Sequence, residues 1–155
     1  MVSSEAPPVT DHAIATPHAD ATAAGTRAFA AGGSAVDAAL AAAAVLTVAY
    51  PHNCALGGDL FALVRDPGGA TVSINASGPA AAAANADALR RQGPGMPVTG
   101  PETITVPGLV AGWERVHGLG GRLPWAAALA PAEALARDGV PVARSLAGAI
   151  AEADL

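Results

Sequence analysis

The fold turns on residues 60–74: Leu60-Phe61-Ala62-Leu63-Val64-Arg65, then Asp66-Pro67-Gly68-Gly69-Ala70, then Thr71-Val72-Ser73-Ile74. The first run has strand chemistry, the last alternates apolar and polar, and Pro67-Gly68-Gly69 between them marks a turn. Two such runs parted by a glycine-containing turn predict a β-hairpin. Upstream, the spacing changes to that of helices. Asp20 to Ala31 predicts an alanine-rich helix stopped by Gly32-Gly33. Ser34 then caps a second helix, with Asp37 three residues on completing a capping-box pair. That helix runs to about Tyr50, ends at Pro51, and is apolar on nearly every face, so it should lie buried between layers. Ala13 to Thr16 predicts a short strand ended by Pro17.

Downstream, Ala80 to Gln92 is weakly helical, with Asn85 as a cap. Gln92 to Pro101 is broken by proline and glycine into a loop. Glu102 to Val106 predicts a short strand halted by Pro107. Leu109 to His117 predicts a helix ended by the glycines at 118–121. Pro124 should open the next helix at its first position, where a missing N–H costs nothing. Pro131 should break or offset that helix, a further stretch runs to Arg137 before Gly139, and Arg144 to Leu155 begins a last helix. A hairpin flanked by helices on both sides implies an α/β or α+β layered architecture.

Composition narrows the function classes. The chain has 155 residues and a formal charge of −5, and its eight basic residues are all arginine. It has no basic stripe and no aromatic platform, which argues against nucleic-acid binding. One cysteine, Cys54, rules out an intrachain disulfide and a multi-cysteine metal site. The most apolar run, Ala38 to Tyr50, is shorter than the ~20 residues of a membrane span. Met1 to Thr10 lacks the basic and apolar regions of a secretory signal, so the expectation is a cytoplasmic protein without membrane association. Residues 1–12 are expected to form a flexible leader. Hydrophobic residues make up 52% of the chain but aromatics only 3%, so alanine dominates the core. Alanine buries little area, which predicts marginal stability or reliance on further polypeptide.

Several residues invite functional readings. Gly57-Gly58 reads as a tight turn into the Leu60 strand, and Gly32-Gly33 as a helix stop and restart rather than a phosphate loop, because no Gly-Lys-Ser/Thr follows. Cys54 and His52 stand two apart, but a lone cysteine usually behaves as a small buried hydrophobe. Asp37 reads as a cap, Asp59 as a turn residue or a site charge, and His18 as a structural hydrogen-bonding group. Trp113 and Trp125 should pack against the alanine layers, while Arg27 and Arg122 should be solvated.

Five segments, in order, resemble the γ-glutamyltransferase (glutathione hydrolase) family. They are Ala15 to Gly25; Gly32-Gly33-Ser34-Ala35-Val36-Asp37-Ala38-Ala39; Pro51-His52-Asn53-Cys54-Ala55-Leu56-Gly57-Gly58-Asp59-Leu60-Phe61; Thr105-Val106-Pro107-Gly108 with Ala111-Gly112-Trp113; and Gly121-Arg122-Leu123-Pro124-Trp125. The resemblance implies a partial αββα sandwich of the N-terminal-nucleophile hydrolase type, with residues 13–155 as the N-terminal portion of that domain. It also implies a self-cleaving precursor whose freed N-terminal Thr attacks a γ-glutamyl amide, its own amine acting as base. The acyl group then passes to water, an amino acid or a peptide, and the oxyanion donors come from the later subunit. That Thr is expected beyond this chain, so no catalytic residue is assigned within 1–155 and the isolated chain should be inactive. The expected partners are an acyl-amide small molecule and the remaining C-terminal subunit, with no cofactor and no metal. The family places an Arg that grips the substrate carboxylate in a Ser-Gly-Arg context after the hairpin. Here the positions are Ser77, Gly78 and Pro79, which become the candidate substrate-binding wall. Because Pro79 has no side-chain donor, γ-glutamyl and other acyl groups remain alternatives, as does a non-catalytic homologue with a binding or assembly role.

Overall fold

The computed structural model describes residues 11–153. The expected leader therefore falls outside the described residues except for Asp11 and His12. Helix α1 (Ala19–Ala30) is followed by α2 (Ala35–Ala49), the strands β1 (Leu60–Arg65) and β2 (Thr71–Ala76), and then α3 (Ala86–Gln92), α4 (Leu109–His117), α5 (Trp125–Asp138) and α6 (Arg144–Glu152). Among the described residues no helix is long and apolar enough to cross a membrane.

The helical layer is built on alanine. Ala21, Ala24 and Ala28 lie on one face of α1 and are buried, as are Ala38, Ala41, Ala42, Val45 and Ala49 on α2. Small side chains let the two backbones come close. A Cβ on Gly25 would overlap the Ile14 side chain and lie 3.0 Å from the Ala38 carbonyl oxygen. Helix α2 also packs against α5, where Ala128 and Ala132 are buried, so it is covered by more than one helix as its all-round apolarity predicts. The α1–α2 junction follows the expected stop and restart. Gly32 takes φ 85, and Gly33 N–H donates to the Ala28 carbonyl at 2.9 Å, a left-handed closure that favours glycine. Ser34 and Asp37 then form the predicted capping box.

The hairpin is antiparallel, with register running from Leu60↔Ala76 to Arg65↔Thr71. Asp66 closes the turn: its carboxylate accepts from Ala70 N–H at 2.9 Å and its carbonyl from Gly69 N–H at 3.0 Å. The period of two sorts the side chains. Leu60, Ala62 and Ile74 face α4, whose Leu109, Trp113 and Val116 are buried, whereas Phe61 (69% exposed) and Leu63 (77% exposed) face outward.

Five sequence expectations are corrected. Ala13–Thr16 is not a strand. No neighbouring strand offers it a ladder among the described residues, and the Thr16 hydroxyl is drawn into the start of α1 by the His18 carbonyl and the Thr22 hydroxyl, each at 2.8 Å. Helix α3 begins at Ala86 and not at Ala80, because Asn85 caps it by accepting from Asp87 and Ala88 N–H, both at 3.0 Å. Glu102–Val106 is not a strand either: Gly100 (φ 104) and Pro101 start a single 3₁₀ turn, Pro101–Thr103, that the Thr103 hydroxyl fastens to the Gly100 carbonyl. Pro124 sits one position before its helix, as the N-cap of α5. Pro131 lies inside a continuous α5. A mid-helix proline costs about 3 kcal/mol, and α5 continues through it while packed against α2 with Ala128 and Ala132 buried.

Helix α3 has no buried residue, so its cap carries much of its order. Asn85→Ala should therefore lower the local opening free energy of α3 by about 1 kcal/mol. Faster hydrogen exchange at Leu89, whose N–H bonds the Asn85 carbonyl, with little change in the global melt, would show it.

Candidate functional site

Ser77, Gly78 and Pro79 leave β2 and run against residues 106–108. Asn75 starts this exit by accepting the Ser77 N–H on its side-chain oxygen at 2.9 Å. Val106 N–H then donates to the Pro79 carbonyl at 3.0 Å, while Gly108 and Leu109 N–H donate to the Gly58 carbonyl at 3.2 and 3.0 Å. The Asp59 carboxylate accepts the Thr105 hydroxyl at 2.9 Å. Both ends of the hairpin are thus tied to one connecting segment, just before α4 begins. Glycine is required where the chains touch. A Cβ on Gly78 would collide with the Val106 carbonyl, and one on Gly108 with the Ala76 carbonyl. Gly112, one turn into α4, sits directly on Leu60 and Ala76.

Beyond the Pro79–Val106 bond the two segments part and enclose a cleft of about 490 Å³, within the usual size of a small-molecule site. One wall is Ala80, Ala81, Ala83 and Ala84, the opposite wall runs from Pro101 to Thr105, and Asn85, Ala88, Leu89, Gln92 and Met96 close it. Ser77, Gly78 and Pro79 do not themselves line this cleft, which begins at the next residue, Ala80. Its lining is mostly apolar, with two amides, two hydroxyls and the Glu102 carboxylate.

A second polar cluster lies at the far end of α2. Asp37 is 1% exposed. Its carboxylate accepts from Ser34 N–H (2.7 Å) and hydroxyl (2.9 Å), from Arg122 N–H (2.9 Å) and from Leu123 N–H (3.2 Å). His117 Nε2 stands 3.9 Å away and hydrogen-bonds the Leu123 carbonyl at 2.9 Å. Burial pushes the carboxyl up, but the bonds from Arg122, Ser34 and Leu123 outweigh it and hold Asp37 below the ordinary aspartate value. The cap read from sequence is also the clamp between α2 and the α4–α5 loop. Sequence reasoning missed this second role because the donors are backbone groups 85 and 86 residues away.

The other candidates resolve into structural roles. His18 Nδ1 caps α1 by accepting Asp20 N–H at 3.3 Å. Gly58 N–H closes a tight turn on the Ala55 carbonyl at 3.0 Å. His52 rests on the Tyr50 ring, with no hydrogen bond to Cys54 among the described residues, and burial raises the Cys54 thiol. A raised thiol is a poor nucleophile. Trp113 is 3% exposed, and Trp125 packs against the core while meeting His117 edge-on at 5.6 Å. Arg27 and Arg122 are exposed. Among the described residues no group of three or more His, Cys, Asp or Glu could hold a metal ion.

Comparison with known proteins fits this architecture. The oxamate amidohydrolase proenzyme of Klebsiella pneumoniae is 44% identical over 126 residues, which are 77% of this chain and 24% of that protein. The gamma-glutamyltranspeptidase from Pseudomonas nitroreducens superposes with a TM-score of 0.84 at 28% identity, over 94% of this chain and 44% of that one. The cephalosporin acylase from Bacillus halodurans superposes with a TM-score of 0.75 at 39% identity, over 83% of this chain and 24% of that one. The chain thus spans about a quarter of the length of the curated relatives it matches. Its helices and antiparallel hairpin have the mixed α and β fold of the N-terminal-nucleophile hydrolases, as the resemblance implied. A family model described as gamma-glutamyltranspeptidase matches residues 21–155, and with these motifs in register on that fold the chain belongs to the gamma-glutamyltranspeptidase family.

Proposed function

We propose that residues 13–155 form the N-terminal portion of an acyl-amide hydrolase or acyltransferase domain and supply one wall of its substrate pocket. A hydroxyl nucleophile from polypeptide outside this chain attacks the amide carbonyl, the C–N bond breaks, and the amine leaves with a proton. The resulting ester passes its acyl group to water, an amino acid or a peptide. The observation that supports this reading is the cleft of about 490 Å³ that opens at Ala80, the residue after Pro79. The backbone bonds at Pro79 and Gly58 fix that wall in place without spending side chains on it. The acyl group is γ-glutamyl or a related acyl. The related-acyl alternative is favoured by Pro79, which offers no donor to a substrate carboxylate.

Two results test the reading. The pure 155-residue chain leaves a γ-glutamyl anilide intact above the buffer rate, and turnover by it would overturn the placement of the nucleophile. A chimera carrying residues 13–153 in place of the matching segment of the Klebsiella proenzyme retains amide hydrolysis. A folded but inactive chimera would overturn the pocket-wall role.

A further inference from the structure

We infer that the cleft beyond Pro79 holds an uncharged, largely apolar acyl chain, and that Glu102 is the residue that turns away chains ending in a carboxylate. The inference rests on the acyl-amide reading of the site and gives it a substrate class. The walls are alanines with Leu89, Met96 and Ile104, which favour alkyl groups through burial of apolar surface. Glu102 is the single ionisable side chain on the lining, and among the described residues no Arg or His lines it. The nearest arginines in sequence, Arg90 and Arg91, are both outside the lining, and Arg90 faces a neighbouring groove and pairs with Asp87 at 2.9 Å. A carboxylate entering the cleft would therefore meet a like charge at the solvent-facing Glu102, with no cation on the lining to offset it.

The polar groups are suited to an amide. Thr103 and Thr105 already donate their hydroxyl protons, to the Gly100 carbonyl and to Asp59, so their oxygens remain to accept an N–H. The Asn85 side-chain oxygen is taken by the α3 cap, which leaves its NH₂ to donate to a carbonyl. Neutral amide recognition thus needs no new charge.

The test is a titration of the labelled 155-residue chain with hexanamide and with adipamate, the same chain length ending in a carboxylate, followed by backbone amide shifts. Hexanamide is expected to move Ala84, Leu89 and Ile104, and adipamate to bind at least about tenfold more weakly, equivalent to about 1.4 kcal/mol. Glu102→Gln, at an exposed position, should close that gap without altering the fold. Ala84→Trp should fill the cleft and remove both responses. Adipamate binding as tightly as hexanamide, no binding by either ligand, shifts confined elsewhere, or an unchanged gap in Glu102→Gln would each overturn the inference. Because the readout is binding, it is independent of the chimera's turnover. An inactive chimera whose cleft still binds hexanamide sinks the catalytic reading alone, and an active one indifferent to the carboxylate sinks the selectivity alone.

Discussion

Asp37→Ala is expected to lower the unfolding free energy by roughly 3–5 kcal/mol, because it strands the Ser34, Arg122 and Leu123 N–H groups together. Those donors serve one buried carboxylate that joins the start of α2 to the α4–α5 loop. Removing it breaks a cap and a long-range tie at once. Asp37→Asn keeps the shape but turns an NH₂ toward donors that need an acceptor, so its loss should be smaller but still large. The shift of the urea midpoint at constant slope reads both. The sign of the pH effect follows from the direction of the shift. The folded carboxyl lies below its unfolded value of about 3.9, so the contribution is fully present above that value and disappears as pH falls through the folded one. Asp37→Asn should flatten this acid limb. An unchanged midpoint, or an acid limb identical to that of the unaltered chain, would remove the clamp from the account.

Gly78→Val should cost about 1–3 kcal/mol, the usual range for overpacking, and the damage should be local. Its Cβ would occupy the place of the Val106 carbonyl, a backbone group that cannot swing aside as a side-chain tip can. The Pro79–Val106 bond is the first casualty. Hydrogen exchange at Val106 should accelerate together with that at Gly108 and Leu109, while amides of the α1–α2 pair keep their protection. Gly57→Ala is the control, since a Cβ there meets nothing within 4 Å. If Gly78→Val melts like the control and Val106 stays protected, the close crossing is not what positions the pocket wall.

The elements that the sequence disclosed are those whose cause is local. The hairpin follows from a period of two on either side of Pro67-Gly68-Gly69, and the α1–α2 junction from Gly32-Gly33 and the Ser34–Asp37 pair. The misreadings share one origin, which is that the deciding interaction lies outside the window. Glu102–Val106 has β-forming residues but, among the described residues, a single long-range backbone bond, at Pro79, and Pro101 with Gly100 bends its start into a 3₁₀ turn. Pro131 should end a helix on its own terms, yet α5 continues through it while packed against α2. For the candidate site, Ser77, Gly78 and Pro79 follow from the family pattern alone. The cleft beside them was not foreseen, because its walls come from segments twenty residues apart that meet through one hydrogen bond. Asp59 as the partner of Thr105, 46 residues on, was equally invisible.

The alanine seam between α1 and α2 has a thermodynamic corollary. Methyl groups have no rotamers to lose, so closing this interface costs almost no side-chain disorder, whereas each leucine in a conventional core forfeits about 0.5–1 kcal/mol. The association of the two helices is therefore governed by backbone ordering and close dispersion contact. With few long side chains to rearrange, the pair has few alternative ways of fitting together. Its alignment should be unusually uniform across the molecules of a sample, even where its net stability is small.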